Sequence, residues 1–173
     1  MKTDWRRIIR VLGIMAANIA FDQATKQLAR EYLAGRGQLS YLGDTFRLAY
    51  VENKGAFLSL GAGLSDNLRF VALHILPVAL LLGLLAYTLF SQQLRGRQII
   101  AFSFIVGGGF SNVIDRILYG QVVDFMNMGL AGLRTGIFNF ADLSIMIGLV
   151  IMLPEVFGSK KAEQPPAGDT PEE

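Results

Sequence analysis

The sequence predicts an all-α membrane protein: a bundle of four transmembrane helices with a small β-rich segment on the outer, periplasmic membrane surface. The 173 residues are 52% hydrophobic and only 17% charged, and their mean hydropathy is positive, which is unusual for a water-soluble globular domain. The apolar residues fall into four blocks, and the basic residues cluster on one side of the predicted membrane. These three observations define the fold class.

Each block is long enough for a helix to cross ~30 Å of hydrocarbon. The predicted spans are residues 8–29, 70–90, 98–118 and 137–157. The first span follows a basic start and could instead be a cleavable signal peptide, with small residues at Ala16-Ala17-Asn18 as the cleavage site. A retained helix gives an even number of spans that agrees with the charge pattern, so we place residues 1–157 in a single membrane domain.

Basic residues precede the first span, separate the second from the third, and follow the fourth. The positive-inside rule therefore predicts a multi-pass membrane protein with both termini in the cytoplasm. The connections 31–68 and 119–136 then lie outside. Residues 158–173, rich in proline and acidic residues, predict a disordered cytoplasmic tail.

The outer connections contain strand-like runs. In the first connection, residues 45–51 alternate between apolar and polar, and the apolar run 55–60 follows after the turn signals Asn53-Lys54-Gly55. We predict a hairpin or small sheet from these two runs. The second connection contains a short strand-like piece at 122–126.

Polar side chains inside a bilayer are costly, so each is a candidate functional residue. They occur at helical spacing in three spans: Asn18, Asp22 and Lys26; Ser111, Asn112, Asp115 and Arg116; Asn139 and Asp142. Asp124 follows the third span by a few residues. The predicted orientation places seven of these polar residues in the outer part of the bilayer: Asp22, Lys26, Asn112, Asp115, Arg116, Asn139 and Asp142. Four separate parts of the chain are therefore expected to meet in one polar site.

Two carboxylates in this set have no obvious cationic partner. Ion pairs of Asp22 with Lys26 and of Asp115 with Arg116 could simply join helices, which leaves Asp124 and Asp142. Two carboxylates close together in a dry site share one proton, so we predict an acid/base pair that activates water for attack on a carbonyl group. No cofactor or metal is required for this chemistry.

The remaining features fit other chemistries less well. The chain has no cysteine and a single histidine, His74, which argues against thiol catalysis and a histidine metal site. The run Gly107-Gly108-Gly109 lies inside a span and indicates close helix packing rather than a phosphate loop.

Three alternatives use the same polar residues. A proton- or cation-coupled small transporter would also carry buried carboxylates, although four spans without repeats argue against alternating access. A metal-dependent lipid-modifying enzyme could use Asp115 and Asp124 on a diphosphate, and an oligomerising membrane protein could use the polar groups as contacts between helices.

Five motifs stand in a characteristic order along the chain. They are Phe21-Asp-Gln-Ala-Thr-Lys26, Asn53-Lys-Gly-Ala-Phe57, Gly107-Gly-Gly-Phe-Ser-Asn-Val-Ile-Asp-Arg116, Val122-Val-Asp-Phe125 and Phe138-Asn-Phe-Ala-Asp142. Over nearly its whole length the chain resembles the bacterial lipoprotein signal peptidases, also called signal peptidase II. The family often has Gly-Gly-Ala-X-Gly-Asn where this chain has Gly-Gly-Gly-Phe-Ser-Asn, an exchange between small residues.

The resemblance implies an aspartic endopeptidase whose catalytic pair is Asp124 and Asp142. The implied substrate is a prolipoprotein that carries diacylglycerol on a cysteine and is cut on the amino side of that cysteine. Membrane lipid and the lipopeptide inhibitor globomycin are further implied partners, whereas nucleic acid is not. The other motif residues are implied to bind substrate or support the pair: Asp22, Lys26, Asn53, Gly55, Gly107, Asn112, Asp115, Arg116 and Asn139.

Overall fold

The computed structural model describes residues 4–55, 65–130 and 132–158. These residues form, in chain order, α1 (Trp5–Tyr32), β1 (Leu39–Tyr41), β2 (Phe46–Asn53), α2 (Asp66–Phe70), a π-helical turn (Val71–Ile75), α3 (Leu76–Phe90), α4 (Gly96–Tyr119), β3 (Val122–Leu130), β4 (Leu133–Arg134) and α5 (Phe140–Gly158). The predicted tail lies outside the described residues apart from Gly158, which ends α5. Most of the run 55–60 lies outside them as well.

Within the described ranges, three helical segments are long and apolar enough to cross a membrane: Trp5–Tyr32, Val71–Phe90 and Gly96–Tyr119. They coincide with the first three predicted spans to within a few residues. Helix α5 coincides with the fourth and exposes large apolar side chains such as Met146, Leu149 and Val150. Local signals explain the helix ends, since Asp4 accepts a hydrogen bond from the Arg7 amide at the start of α1 and Gly120, at φ 70°, ends α4.

Helix α4 packs against α1, α3 and α5 and forms the centre of the bundle. Its glycines allow this approach, as predicted. A Cβ atom at Gly107 would lie 3.2 Å from the Cα of Met15 in α1, and one at Gly108 would meet the carbonyl oxygen of Ala141 in α5. The glycine run is therefore a packing surface.

The four strands form one antiparallel sheet in the order β1-β2-β3-β4. Strand β2 pairs with β3 from Phe46 opposite Met128 to Asn53 opposite Val122, with an irregularity between Leu48 and Val51. The predicted strands 45–51 and 122–126 are both present, and the second continues to Leu130. The described neighbours of β2 are β1 and β3, which the sequence analysis did not predict as its partners.

The sheet lies across the end of α1. Ala29 of α1 and Leu33, which caps its end, form one apolar cluster with Val123, Phe125 and Met126 of β3, and side chains of β2 pack against it. This cluster fixes β3, which carries Asp124, over the ends of the helices.

Candidate active site

Asn139 caps the start of α5 and sets the position of Asp142. The Asn139 side-chain oxygen accepts a hydrogen bond from the Asp142 amide at 3.0 Å, and the Asp142 carboxylate accepts one from the Asn139 amide at 3.2 Å. This reciprocal pair is a capping box, with Asp142 at the third helical position. The positive end of the helix dipole stabilises a negative charge there.

Asp124 projects from β3 toward the same asparagine. Its Oδ1 accepts a hydrogen bond from Asn139 Nδ2 at 2.7 Å, and its Oδ2 accepts one from Asn53 Nδ2 at 3.0 Å. Only 4% of Asp124 is exposed. Asn139 thus contacts both Asp124 and Asp142, so the two residues that the sequence analysis paired belong to one hydrogen-bonded group.

Asn112 of α4 is the second amide in contact with the pair. Its Nδ2 donates to Asp142 Oδ1 at 2.9 Å. Its Oδ1 accepts from Lys26 Nζ at 2.8 Å and from Asn139 Nδ2 at 3.2 Å. The lysine thereby fixes the amide orientation of Asn112, with the nitrogen directed to Asp142.

Lys26 is the centre of a buried ionic cluster. Its Nζ lies 2.7 Å from Asp22 Oδ2 and 2.7 Å from Asp115 Oδ2, and none of its side chain is exposed. With Asn112, these two carboxylates provide one partner for each of the three ammonium hydrogens. The predicted pairing of Asp22 with Lys26 is confirmed, and α4 also contributes to the cluster through Asp115 and Asn112.

Asp22 also links α1 to α4 and α5. Its Oδ2 accepts a hydrogen bond from Ser111 Oγ at 2.7 Å, and its Oδ1 accepts one from the Ala141 amide at 2.8 Å. The Ala141 amide is one of the first four backbone N–H groups of α5, and these groups have no hydrogen-bond partner within the helix. Asp22 therefore supports the helix end that carries Asp142.

The predicted pairing of Asp115 with Arg116 is wrong. Asp115 faces α1, where it pairs with Lys26 and accepts a hydrogen bond from Gln23 Nε2 at 2.9 Å. Arg116 instead donates to the carbonyl oxygens of Gly55 at 3.2 Å and Asn112 at 3.3 Å. Consecutive residues point about 100° apart around a helix of 3.6 residues per turn, so they reach different neighbours.

Gly55 and Asn53 are held together at the end of β2. The Gly55 amide donates to Asn53 Oδ1 at 3.0 Å, which orients the Asn53 Nδ2 toward Asp124. Ser111, one of the candidate residues, hydrogen-bonds to Asp22. Gln23 belongs to the site as well, because it donates to Ser111 and Asp115, although the sequence analysis did not include it among its candidates. Its place beside Asp22 in the motif Phe21–Lys26 is the sequence signal for it.

The environment of Asp124 favours its protonated form. Burial, together with the charge of Asp142, raises the pKa of Asp124 to about 6 against the opposing hydrogen bonds from Asn53 and Asn139. Among the described residues, neither Asp124 nor Asp142 forms an ion pair. The side chains that hydrogen-bond to the pair are therefore amides, while the charges of Lys26 and Arg116 act on it from a greater distance, and one proton can be retained near neutral pH.

Two apolar grooves are lined in part by residues of the site or by their neighbours in sequence. One, of about 390 Å³, is lined by Phe125 and Phe140, the neighbours of Asp124 and Asn139 in sequence, together with side chains of α1. The other, of about 600 Å³, lies between the π-helical turn, α3 and the end of α4, and Arg116 is part of its wall. Within the described part of the chain, no group of three or more His, Asp or Glu side chains is arranged to hold a metal ion.

The fold and the site define a multi-pass membrane protein with a buried, hydrogen-bonded pair of carboxylates. The sequence profile of the family described as signal peptidase (SPase) II matches residues 14–158. The chain belongs to this family. It is 31% identical over 159 residues to the lipoprotein signal peptidase of Borrelia duttonii, covering 88% of this chain and 92% of that protein. It is 38% identical over 148 residues to that of Treponema denticola, covering 81% and 86%.

Solved structures share the fold. One bacterial membrane enzyme, solved by the in meso method, superposes with a TM-score of 0.78 at 23% identity, covering 97% of this chain and 98% of that chain. A second bacterial membrane enzyme, also solved by the in meso method, superposes with a TM-score of 0.74 at 26% identity, covering 90% of this chain and 96% of that chain. The family resemblance predicted from the five motifs is thus confirmed: the protein is a membrane protease that removes signal peptides from prolipoproteins, and the transporter alternative is not favoured.

Proposed function

We propose that this protein is an intramembrane aspartic endopeptidase in which Asp124 and Asp142 are the catalytic residues. Its substrate would be a diacylglyceryl-modified prolipoprotein, cut on the amino side of the lipidated cysteine. The proposal rests mainly on one observation, that Asn139 hydrogen-bonds to both carboxylates while the nearest buried lysine is occupied by Asp22 and Asp115.

In the proposed mechanism Asp142 is the base. It accepts hydrogen bonds from Asn112 and from the Asn139 amide, at the positive end of a helix dipole, so its ionised form is stabilised. Asp142 takes a proton from a water molecule, whose oxygen attacks the scissile carbonyl carbon. As the carbon–nitrogen bond breaks, the same proton passes to the leaving amine.

Asp124 has the complementary role. Because its pKa is raised to about 6, it holds a proton that hydrogen-bonds to the carbonyl oxygen of the substrate as negative charge develops there. The proton returns fully to Asp124 when the tetrahedral intermediate collapses. The remaining site residues hold these two carboxylates in position.

Arg116 and the end of β2 are suited to the substrate backbone. Arg116 donates to the Gly55 carbonyl oxygen, and Asn53 links this segment to Asp124. A peptide entering beside Gly55 would thus meet polar backbone groups next to the pair. The lipid chains of the substrate would occupy an apolar groove that opens beside it.

The proposed topology has four spans, both termini in the cytoplasm and the sheet on the periplasmic surface. It is supported by the distribution of basic residues and by the apolar exposed face of α5. Residues 1–157 then form one membrane domain, residues 158–173 a cytoplasmic tail, and the active site lies near the periplasmic face. Globomycin would inhibit by lodging between the two aspartates.

The test replaces Asp124 and Asp142 singly by Asn, with Glu31→Gln as the matched control at an exposed carboxylate. Each protein is purified in detergent and assayed on a diacylated prolipoprotein, with and without a chelator. We expect each site variant to lose roughly 10²–10⁴-fold in activity, the usual contribution of a general acid or base, while Glu31→Gln retains wild-type activity. Full activity in either site variant, or loss of wild-type activity with chelator, would contradict the two-carboxylate mechanism.

A further inference from the structure

Two turns lie side by side at the end of the sheet that is remote from the carboxylate pair. One joins β1 to β2 and the other joins β3 to β4, and the Gly129 amide donates to the Thr45 carbonyl oxygen at 2.9 Å. We call residues 41–45, 128–130 and 132–134 the sheet tip. Three leucines of the tip are largely exposed, Leu42 to 79%, Leu130 to 71% and Leu133 to 84%.

The exposed leucines do not serve the folding of the tip. Leu42 has φ 54° and Asp44 has φ 70°, in the left-handed region that disfavours residues with a Cβ. A glycine or asparagine at Leu42 would fit this turn with less strain, and the leucine gains no core packing in return. Such strain at an exposed apolar residue points to a function rather than to folding.

The tip lies at the periphery of the bundle. Phe46, the residue of β2 next to the tip, packs on the apolar cluster at Ala29 and Leu33, so the tip lies just beyond the end of α1. Helix α1 packs on the outside of the central helix α4. The tip is therefore at the edge of the protein, where lipid would surround the bundle.

Two arginines lie directly behind the leucines. Arg47 Nε donates to Asp44 Oδ1 at 2.6 Å, and Arg134 Nη1 donates to the Asp44 carbonyl oxygen at 2.7 Å. The hydrogen bonds from Arg47 hold the pKa of Asp44 well below its usual range, so the three side chains keep a net charge of +1. Arginines next to exposed leucines match the boundary between lipid phosphates and acyl chains.

We propose that the sheet tip is a lipid anchor. Leu42, Leu130 and Leu133 enter the acyl-chain boundary of the leaflet beneath the sheet, while Arg47 and Arg134 face the lipid phosphates. The anchor rests on the proposed position of the sheet at the membrane surface. Because β2 runs from the tip to Asn53, which donates to Asp124, the anchor would also fix the height of the carboxylate pair relative to the lipid.

Tryptophan fluorescence tests the anchor in the full-length protein. Trp5 is the single tryptophan of the chain, so the variant Trp5→Phe has no tryptophan emission. Leu133→Trp and Leu130→Trp are each introduced into this variant. The control is Glu52→Trp, at an exposed position near the opposite end of β2. Each protein is reconstituted into vesicles of phosphatidylcholine and phosphatidylglycerol, with or without bromine on the acyl chains near the glycerol.

A tryptophan that lies 5–10 Å into the boundary should lose roughly half of its emission to the bromines, whereas the Glu52→Trp emission should be nearly unchanged. Equal quenching at the tip and at position 52 would overturn the assignment to the tip. Blue-shifted emission that the bromines leave unchanged would show burial against protein and would overturn the lipid anchor. The measurement does not involve the reaction, so its failure would leave the two-carboxylate mechanism untouched.

Discussion

Replacing Asp124 by Asn should change how the stability of the protein depends on pH. Burial raises the pKa of this carboxyl from 3.8 to about 6. A group with a raised folded-state pKa contributes most to stability below its unfolded pKa, and that contribution is lost as pH rises through the folded value. The wild type should therefore lose stability between about pH 4 and pH 7. Asp124→Asn should not show this loss, because asparagine does not titrate.

The size of the effect follows from the two pKa values. The difference between 3.8 and about 6, at about 1.4 kcal/mol for each pH unit, is about 3 kcal/mol. For a chain of this length that corresponds to roughly 6–12 °C in melting temperature. In Asp124→Asn the new side-chain amide nitrogen would face Asn53 or Asn139, both of which donate hydrogen bonds to Asp124 in the wild type. That mismatch lowers the unfolding free energy of the variant by the same amount at every pH and leaves its pH dependence unchanged.

The assay is thermal unfolding in detergent from pH 4 to pH 8 for wild type, Asp124→Asn and the control Glu31→Gln. As pH rises, the unfolding free energy of the wild type should fall by about 3 kcal/mol relative to that of Asp124→Asn. Glu31 is exposed, so its variant should follow the wild-type curve. Parallel curves for wild type and Asp124→Asn would refute the assignment of a raised pKa to Asp124.

Three further substitutions test the supports of the pair. Lys26→Met should cost about 3–5 kcal/mol in unfolding free energy, because it leaves two buried carboxylates without a cation. Asn139→Ser should keep the cap of α5 and most of the melting temperature, since serine caps helices. Its activity should fall steeply, because serine cannot also donate to Asp124. Equal losses of melting temperature in Asn139→Ser and Asn139→Ala would contradict the capping role. Gly108→Ala should cost about 1–3 kcal/mol by forcing α4 away from α5, whereas Gly13→Ala, with open space around it, should be neutral or stabilising.

The helices and one face of the site follow from local sequence. The length of each apolar block is set by the thickness of the hydrocarbon, and the four-residue spacing of Asp22 and Lys26 places them on one helix face. Their ion pair at 2.7 Å confirms that inference. Such features depend on residues close in sequence, so periodicity is sufficient to predict them.

The contacts between distant segments did not follow from sequence. Asp115 was assigned to its neighbour Arg116, yet it reaches Lys26 on another helix, because rotation about the helix axis separates adjacent side chains. The partners of β2 were also missed. The turn signals at Asn53-Lys54-Gly55 suggested a hairpin, whereas Asn53 and Gly55 form a bend that directs Asn53 to Asp124. The pairing of β2 with β3 joins residues that are 69 (Asn53 with Val122) to 82 (Phe46 with Met128) positions apart.

The two amides around the carboxylate pair explain why the nearby lysine does not abolish acid/base chemistry. A lysine in direct contact would favour the ionised form of both carboxylates, and no proton would remain for the developing oxyanion. Here Asn112 stands between them: its oxygen accepts from Lys26 and its nitrogen donates to Asp142. Asn139 is oriented in the same manner, since its oxygen accepts the Asp142 amide and its nitrogen donates to Asp124. Each carboxylate thus receives its side-chain hydrogen bonds from amides, while Lys26 and Arg116 act on the pair only from a distance, and the pair can keep the single proton that the proposed reaction needs.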